Sequence, residues 1–264
     1  MNKNKKFSGF TLAEVLITIG VIGVVAAMTI PTIMANIKGQ RYRSQFKKTM
    51  STLNQAVRMN QANYDWNFGD LSEDCVSNDT WKIHTAENNK SFCAIFNSNL
   101  KGISHGIYSP DNSMEPGETY NEYYGFKPSA MLNDNYMGGL IKINPGDWGV
   151  INFLDGSTIA FNYFVSEPKC QLPIGATLND ALNNVTYEEG KPYLPDCVGF
   201  IDVNGPNLPN KEIECSNNVT TEIKPDTPCV VKNSDITDIF PVVFYDSTVA
   251  PASNAAAYVF NNAK

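Results

Sequence analysis

The sequence predicts an α+β protein in which one long N-terminal helix packs on an antiparallel β-sheet head. Three observations carry that expectation. An uncharged apolar run covers residues 15–35, 21 positions in all, about enough to cross a bilayer core. Beyond it Tyr42, Phe46, Met50, Leu53 and Val57 recur at steps of four, four, three and four, one stripe of a helix facing a core. The remaining chain is rich in Asn, Asp, Ser, Gly and Pro between short apolar runs, the punctuation of strands and loops.

The helix comes first in the chain. A short basic leader holds Lys3, Lys5 and Lys6 and ends in Ser8-Gly9. A secretory signal places its cleavage site after an apolar core of about 7–15 residues. Ala26-Ala27 offers such a site, but the run is longer and the helical pattern continues past it. A single helix from about residue 10 to about residue 64 would be roughly 80 Å long. Pro31 has no amide proton, so it frees the carbonyl of Ala27 and is expected to kink or loosen the helix. Gly20 and Gly23 weaken the same region, and Gly39 adds a second soft point. No strong stop precedes Asn67-Phe68-Gly69. The chain thus divides into a leader (1–9), an apolar helix (10–35), its amphipathic continuation (36–66) and a β-rich head (67–264).

In the head, residues 92–96 and 138–143 are short apolar runs, and 110–128 reads as a surface loop. The clearest strand signal is 149–161, two β-rich runs flanking Asp155-Gly156, the preferred pair for a tight hairpin turn. Residues 197–203 and 238–245 read as further strands, with Pro241 favouring an edge or a bulge. The tail, 250–264, carries no decisive pattern, and no internal repeat is visible.

Charge is unevenly placed. The formal total is −7, but from Gln61 onward 11 Lys face 26 Asp or Glu, a balance of −15. Between Lys38 and Arg58 lie six basic residues and no acid. An acidic head over a basic collar disfavours nucleic acid, whose phosphates need clustered Lys and Arg, and suits cations. Asp202-Val203-Asn204-Gly205 has the spacing of oxygen ligands opening a calcium loop, with Asp235 and Asp238 as completing ligands. The closing Glu of a full loop is absent, and a simple Asn-Gly turn explains the same residues. An enzyme finds little support: His84 and His105 are the two histidines, with no nucleophile elbow, metal-pair helix or phosphate loop nearby. Asn218-Val219-Thr220 is a glycosylation sequon with meaning only in a source that uses it.

The cysteines are Cys75, Cys93, Cys170, Cys197, Cys215 and Cys229, and none forms a C-x-x-C pair, which argues against zinc. Outside the cytoplasm, three disulfides are the natural state. Neighbours in sequence give 75–93, 170–197 and 215–229, one of fifteen possible pairings.

The leader, the Gly9–Phe10 junction, Glu14 at the mouth of the apolar run and the helix interrupted at Pro31 together resemble type IV pilins and type II secretion pseudopilins. The likeness covers about the first 35 residues. It implies cleavage after Gly9 by a membrane-embedded prepilin peptidase, methylation of Phe10 by the same enzyme, and no catalytic role for the chain itself. It further implies a helical filament of like or related subunits built on an inner-membrane platform, in which Glu14 pairs with a neighbour's N-terminal amine. Thr11-Leu12-Ala13-Glu14 also fits a capping box. Some pseudopilins carry calcium near the end of their sheet, and no other cofactor is implied. The collar outnumbers the leader's lysines, so positive-inside counting alone would invert the chain. The family orientation keeps the N-terminus cytoplasmic and places the cysteine-rich head in an oxidising space, leaving the collar to contact anionic headgroups. The rival reading is a signal-anchored or secreted binding protein that forms no filament.

Overall fold

The computed structural model describes residues 11–73, 75, 85–101, 104–108, 148–162, 170–183, 194, 197–205, 207, 209, 211–217 and 228–262. The anticipated runs 110–128 and 138–143, together with His84, Asn218, Gly9 and Phe10, lie outside them.

Helix α1 (Leu12–Tyr64) runs 53 residues and passes through Pro31 without a break. Thr11 caps its start, and Asp65 ends it in the left-handed region at φ 62°, donating its N–H to the Gln61 carbonyl. Gly39 is not a soft point. It is buried, and a Cβ there would overlap the carbonyl oxygen of Asn233, in the short 3-10 turn Asn233–Asp235. The absent side chain lets the foot of the head sit directly on the helix.

The sheet is antiparallel, and its strands follow chain order: β1 (Ser104–Tyr108), β2 (Trp148–Asn152), β3 (Thr158–Asn162), β4 (Val198–Asp202), β5 (Ile239–Tyr245) and β6 (Thr248–Pro251). Two expectations need correction. Asp155-Gly156 does not make a two-residue hairpin. Phe153 donates to the Ser157 carbonyl at 2.9 Å and Gly156 to the Phe153 carbonyl at 3.0 Å, so Leu154 joins the loop. Gly156 takes φ +83°, the left-handed residue that a three-residue connection needs. Pro241 is on no edge strand, because β5 lies between β4 and β6. It is tolerated because β6 ends opposite Val242. The Pro241 carbonyl accepts from Ala252 past that end, and a residue's N and O share one side of a strand. Its missing N–H therefore falls at the last pairing of that ladder, where a single bond is omitted.

The head buries the stripe read from the sequence: Tyr42, Phe46, Met50, Leu53 and Val57 are each at most 2% exposed. Phe46 stacks on Phe240 of β5 with centroids 4.1 Å apart. Three further helices lie among the described residues, none of them expected from the sequence. Helix α2 (Phe92–Asn99) is capped by Ser91 and sends Phe92 and Phe96 into a cluster with Phe68, Phe161 and Phe244, centroids 5.2–6.4 Å apart. A short helix α3 (Leu178–Asn183) follows. In the tail, α4 (Asn254–Asn261), capped by Ser253, buries Ala255, Ala256 and Val259 and brings Phe260 to 6.1 Å from Phe46.

The cysteines form Cys75–Cys93, Cys170–Cys197 and Cys215–Cys229, with Cα atoms 5.3, 5.6 and 5.4 Å apart. Closing loops of 14–27 residues contributes about 3 kcal/mol each in the chain-entropy picture.

Two substitutions test how the head is seated. Phe46→Ala should lower unfolding stability by about 3–5 kcal/mol. Gly39→Ala should instead leave the core intact and loosen the foot. In full-length protein in detergent, hydrogen exchange should rise around residues 230–236 for Gly39→Ala. Unchanged exchange there would show that the contact is dispensable.

Candidate functional site

Below the head, α1 is bare. From Leu12 to Ile37 its large apolar side chains are exposed on every face, with Leu16, Ile19, Ile22, Met28, Ile33 and Ile37 each more than half accessible. A helix apolar all round needs lipid or partner helices. Among the described residues it is the one helix long and apolar enough to span a membrane, and it suits anchoring there. Two of its threonines are satisfied within the helix: Thr18 donates to the Val15 carbonyl and Thr29 to that of Val25, both at 2.9 Å, so neither presents an unpaired hydroxyl.

At the start of the stem, Glu14 and Thr11 form the capping box. Thr11 N–H and Oγ1 donate to Glu14 Oε2 at 2.8 and 2.9 Å, and Glu14 N–H donates to Thr11 Oγ1 at 3.3 Å. Both bonds to the carboxylate land on one oxygen.

Where the stem meets the head, the basic collar holds the head. Lys47 Nζ donates to the Asn262 carbonyl at 3.1 Å, just past the C-terminal end of α4, where a cation also complements the helix dipole. Lys48 pairs with Asp155 of the β2–β3 loop at 2.7 Å. Lys38 lies over the Tyr42 ring, 5.3 Å from its centroid, and Arg43 is buried. Arg41 stays exposed.

Beside the collar lies an acidic pocket at the foot of the sheet. Asp202 ends β4, Asp238 precedes β5, and both are fully buried. Asp202 Oδ1 accepts from Asn204 N at 2.9 Å, Asp238 Oδ1 from Lys211 N at 2.8 Å, and Asn204 Nδ2 reaches Asp238 Oδ2 at 3.4 Å. Tyr42 enters from α1 with its hydroxyl buried, and Lys38 is the side chain that offers it a hydrogen bond. Burial chiefly raises the phenol's pKa, Lys38 opposes the rise, and the nearby Asp238 and Asp202 add to it. Burial likewise pushes Asp202 up to about 8, reinforced by Asp238 against the Asn204 and Gly205 amides. Asp235 does not join the group. It is exposed, accepts from Ser234 at 2.8 Å and from Ser216, and has a lowered pKa from those bonds. Among the described residues no group of three or more His, Cys, Asp or Glu is arranged to hold a metal. Sequence reading placed Tyr42 in the core stripe and missed its hydroxyl, which faces carboxylates that only the fold brings near.

Residues 4–30 match the family model described as the prokaryotic N-terminal methylation motif. No curated protein and no solved structure matches the chain. The motif is the signature of type IV pilins and pseudopilins and indicates a pilin-like precursor. The long helix and antiparallel sheet give the chain a pilin-like α+β architecture.

The pocket sets a pH dependence. The native state holds a proton on Asp202 that the unfolded chain has released above the ordinary pKa of 3.8. Stability should therefore fall as pH rises through that window to about 8. Glu212, raised by burial and by Glu214 to about 8, adds the same sign. Thermal melts from pH 5 to 9, at roughly unit steps, should show a declining midpoint that Asp202→Asn flattens in part. A midpoint that rises with pH would contradict the assignment.

Proposed function

We propose that the chain is the precursor of a filament subunit, a pilin or pseudopilin of a type IV pilus-like or type II secretion machine. The observation that carries this reading is the methylation motif over residues 4–30 at the head of a helix whose apolar half is bare on all sides. In this reading the basic leader holds the N-terminus in the cytoplasm. Gly9 lets an extended backbone enter the prepilin peptidase, which cuts there and methylates Phe10. The head faces an oxidising space, as its three disulfides require. Stems then pack side by side from the inner membrane, on an assembly platform, in the heterologous geometry that builds open filaments.

Glu14 supports the packing step. A carboxylate near hydrocarbon is costly unless paired, and the capping box takes only Oε2. Oε1 is left for the N-terminal amine of a neighbour. Pro31 is proposed as the point where the helix loosens on packing, since its ring removes one backbone bond from the ladder. The role is mechanical, with no substrate chemistry and no nucleic acid as partner.

Intact mass of the membrane-extracted protein tests the reading. Loss of residues 1–9 with gain of one methyl is expected; an uncut chain, or cleavage near Ala27, would favour a signal-anchored or secreted binding protein. Glu14→Ala should still be cleaved yet fail to enter sheared filaments.

Calcium at Asp202, Asn204 and Asp238 is a second proposal, supported by two adjacent buried carboxylates that Asn204 links. Binding would displace the pocket's proton. Millimolar calcium should raise the melting midpoint more at pH 8 than at pH 6, and Asp238→Asn should abolish the shift. No calcium-dependent shift at either pH removes the proposal.

A further inference from the structure

We infer a second, head-to-head contact between copies of this chain: the β2–β3 loop at the foot of one head seats against the 170–177 loop at the top of another. The inference rests on the filament reading above. Among the described residues of the head, two large apolar side chains stand almost wholly in solvent, Leu154 at 87% and Ile174 at 108% exposure. A single exposed apolar residue needs no explanation. These two differ in being fixed outward on built turns at opposite ends of the head.

Leu154 lies in the loop closed by the Phe153–Ser157 hydrogen bond. Asp155 braces that loop twice, accepting from Ser157 N and Oγ at 3.2 and 2.6 Å and pairing with Lys48. Ile174 occupies the turn closed by Ala176 N to the Pro173 carbonyl at 3.0 Å, with Gly175 at φ +86°. Its loop is fastened by Cys170–Cys197 and by Leu172 N to Asp246 Oδ2 at 3.4 Å. Held turns lose little entropy on binding.

Their placement follows α1. The Leu154 loop touches the helix at Lys48 and Thr49. The Ile174 loop lies beside Asp246, whose carbonyl accepts from Phe68 just past the helix end. The two levels are about 24 Å apart along the axis at 1.5 Å per residue. Charge differs between them in the same sense. Lys38, Arg41, Lys47 and Lys48 ring the foot, partly offset by the exposed Asp155 and Asp235 and with Asp202 and Asp238 buried beside them, whereas Asp65, Asp70 and Asp246 lie at the top. When parallel stems stagger along a filament, the basic foot of one head overlies the acidic top of another. Copies running the opposite way would set like ends together. The contact is small and gains strength from repetition along the filament.

A photo-crosslinking residue at position 154 of the full chain tests this, with a second probe at position 22 in the stem as reference. In assembled filaments the position-154 probe should give a ladder of multimers whose crosslinked peptide contains residues 170–178. Leu154→Asp in a chain with the probe at position 174 should reduce that probe's ladder several-fold, and high salt should weaken it further. A stem ladder without the 154 ladder, or with its crosslinks elsewhere, overturns the head contact alone. Absence of both ladders overturns the filament reading and this contact with it.

Discussion

The Phe46–Phe240 stack fixes the head to the stem. Its rings lie 4.1 Å apart and 11° from parallel, and each belongs to an element the rest depends on. Phe46 sits in the middle of the α1 stripe, and Phe240 is on β5, which pairs on both sides with β4 and β6. Phe260 of α4 closes the same site edge-on, so the C-terminal segment joins the core where helix and sheet meet. Above this point the Phe68, Phe92, Phe96, Phe161 and Phe244 cluster fills the space between α2 and the sheet. Apolar burial near 25 cal/mol per Å² makes these rings the main attraction between the two layers. Without this seat, an upper half of α1 carrying Lys and Gln on its outer face has no reason to hold its register on the sheet.

One helix thus serves two surroundings, and the collar marks the change between them. A row of cations just above an apolar run reads naturally as a headgroup contact. The fold employs most of them differently. Lys47 meets the carbonyl of Asn262, Lys48 holds the β2–β3 loop and Lys38 covers Tyr42. Exposed pairs of this kind are worth little singly. Their value lies in position, since each ties a different part of the head to the same few turns of helix. Gly39, buried under Asn233, sets the lowest point of that seat. The bare helix therefore begins where the head ends.

What was legible in the sequence follows the range of the signal. The stripe from Tyr42 to Val57 is periodic over four turns, so its burial could be read directly. The disulfides followed sequence order because each closes a local loop. Helix α2 was hidden because a single run of eight residues holds too few turns to show a period, although Ser91 and the i, i+4 spacing of Phe92 and Phe96 were its signature. Pro241 misled for a different reason. The rule against proline in a central strand concerns a missing hydrogen bond, and whether one is missed depends on where the neighbouring strand stops. The acidic pocket needed three elements to meet, and Asp235, near it in sequence, turned out to be tied to Ser234 and Ser216 instead.

Glu14 links the lone subunit to the proposed filament. Read alone, Thr11-Leu12-Ala13-Glu14 is a capping box, and the structure contains one. Read with the methylation motif, the same carboxylate is the proposed assembly contact. The geometry removes the conflict. The cap satisfies the Thr11 N–H and hydroxyl through Oε2 alone, so the helix start needs only half of the carboxylate. A capped Glu14 is also held in one rotamer, pointing back along the helix toward its first residues. An amine arriving from a neighbouring stem would then meet an oxygen whose position is already set, and the entropy of fixing that side chain would have been met within the lone subunit. Capping in the free chain and pairing in the proposed filament are in this sense successive uses of one ordered side chain.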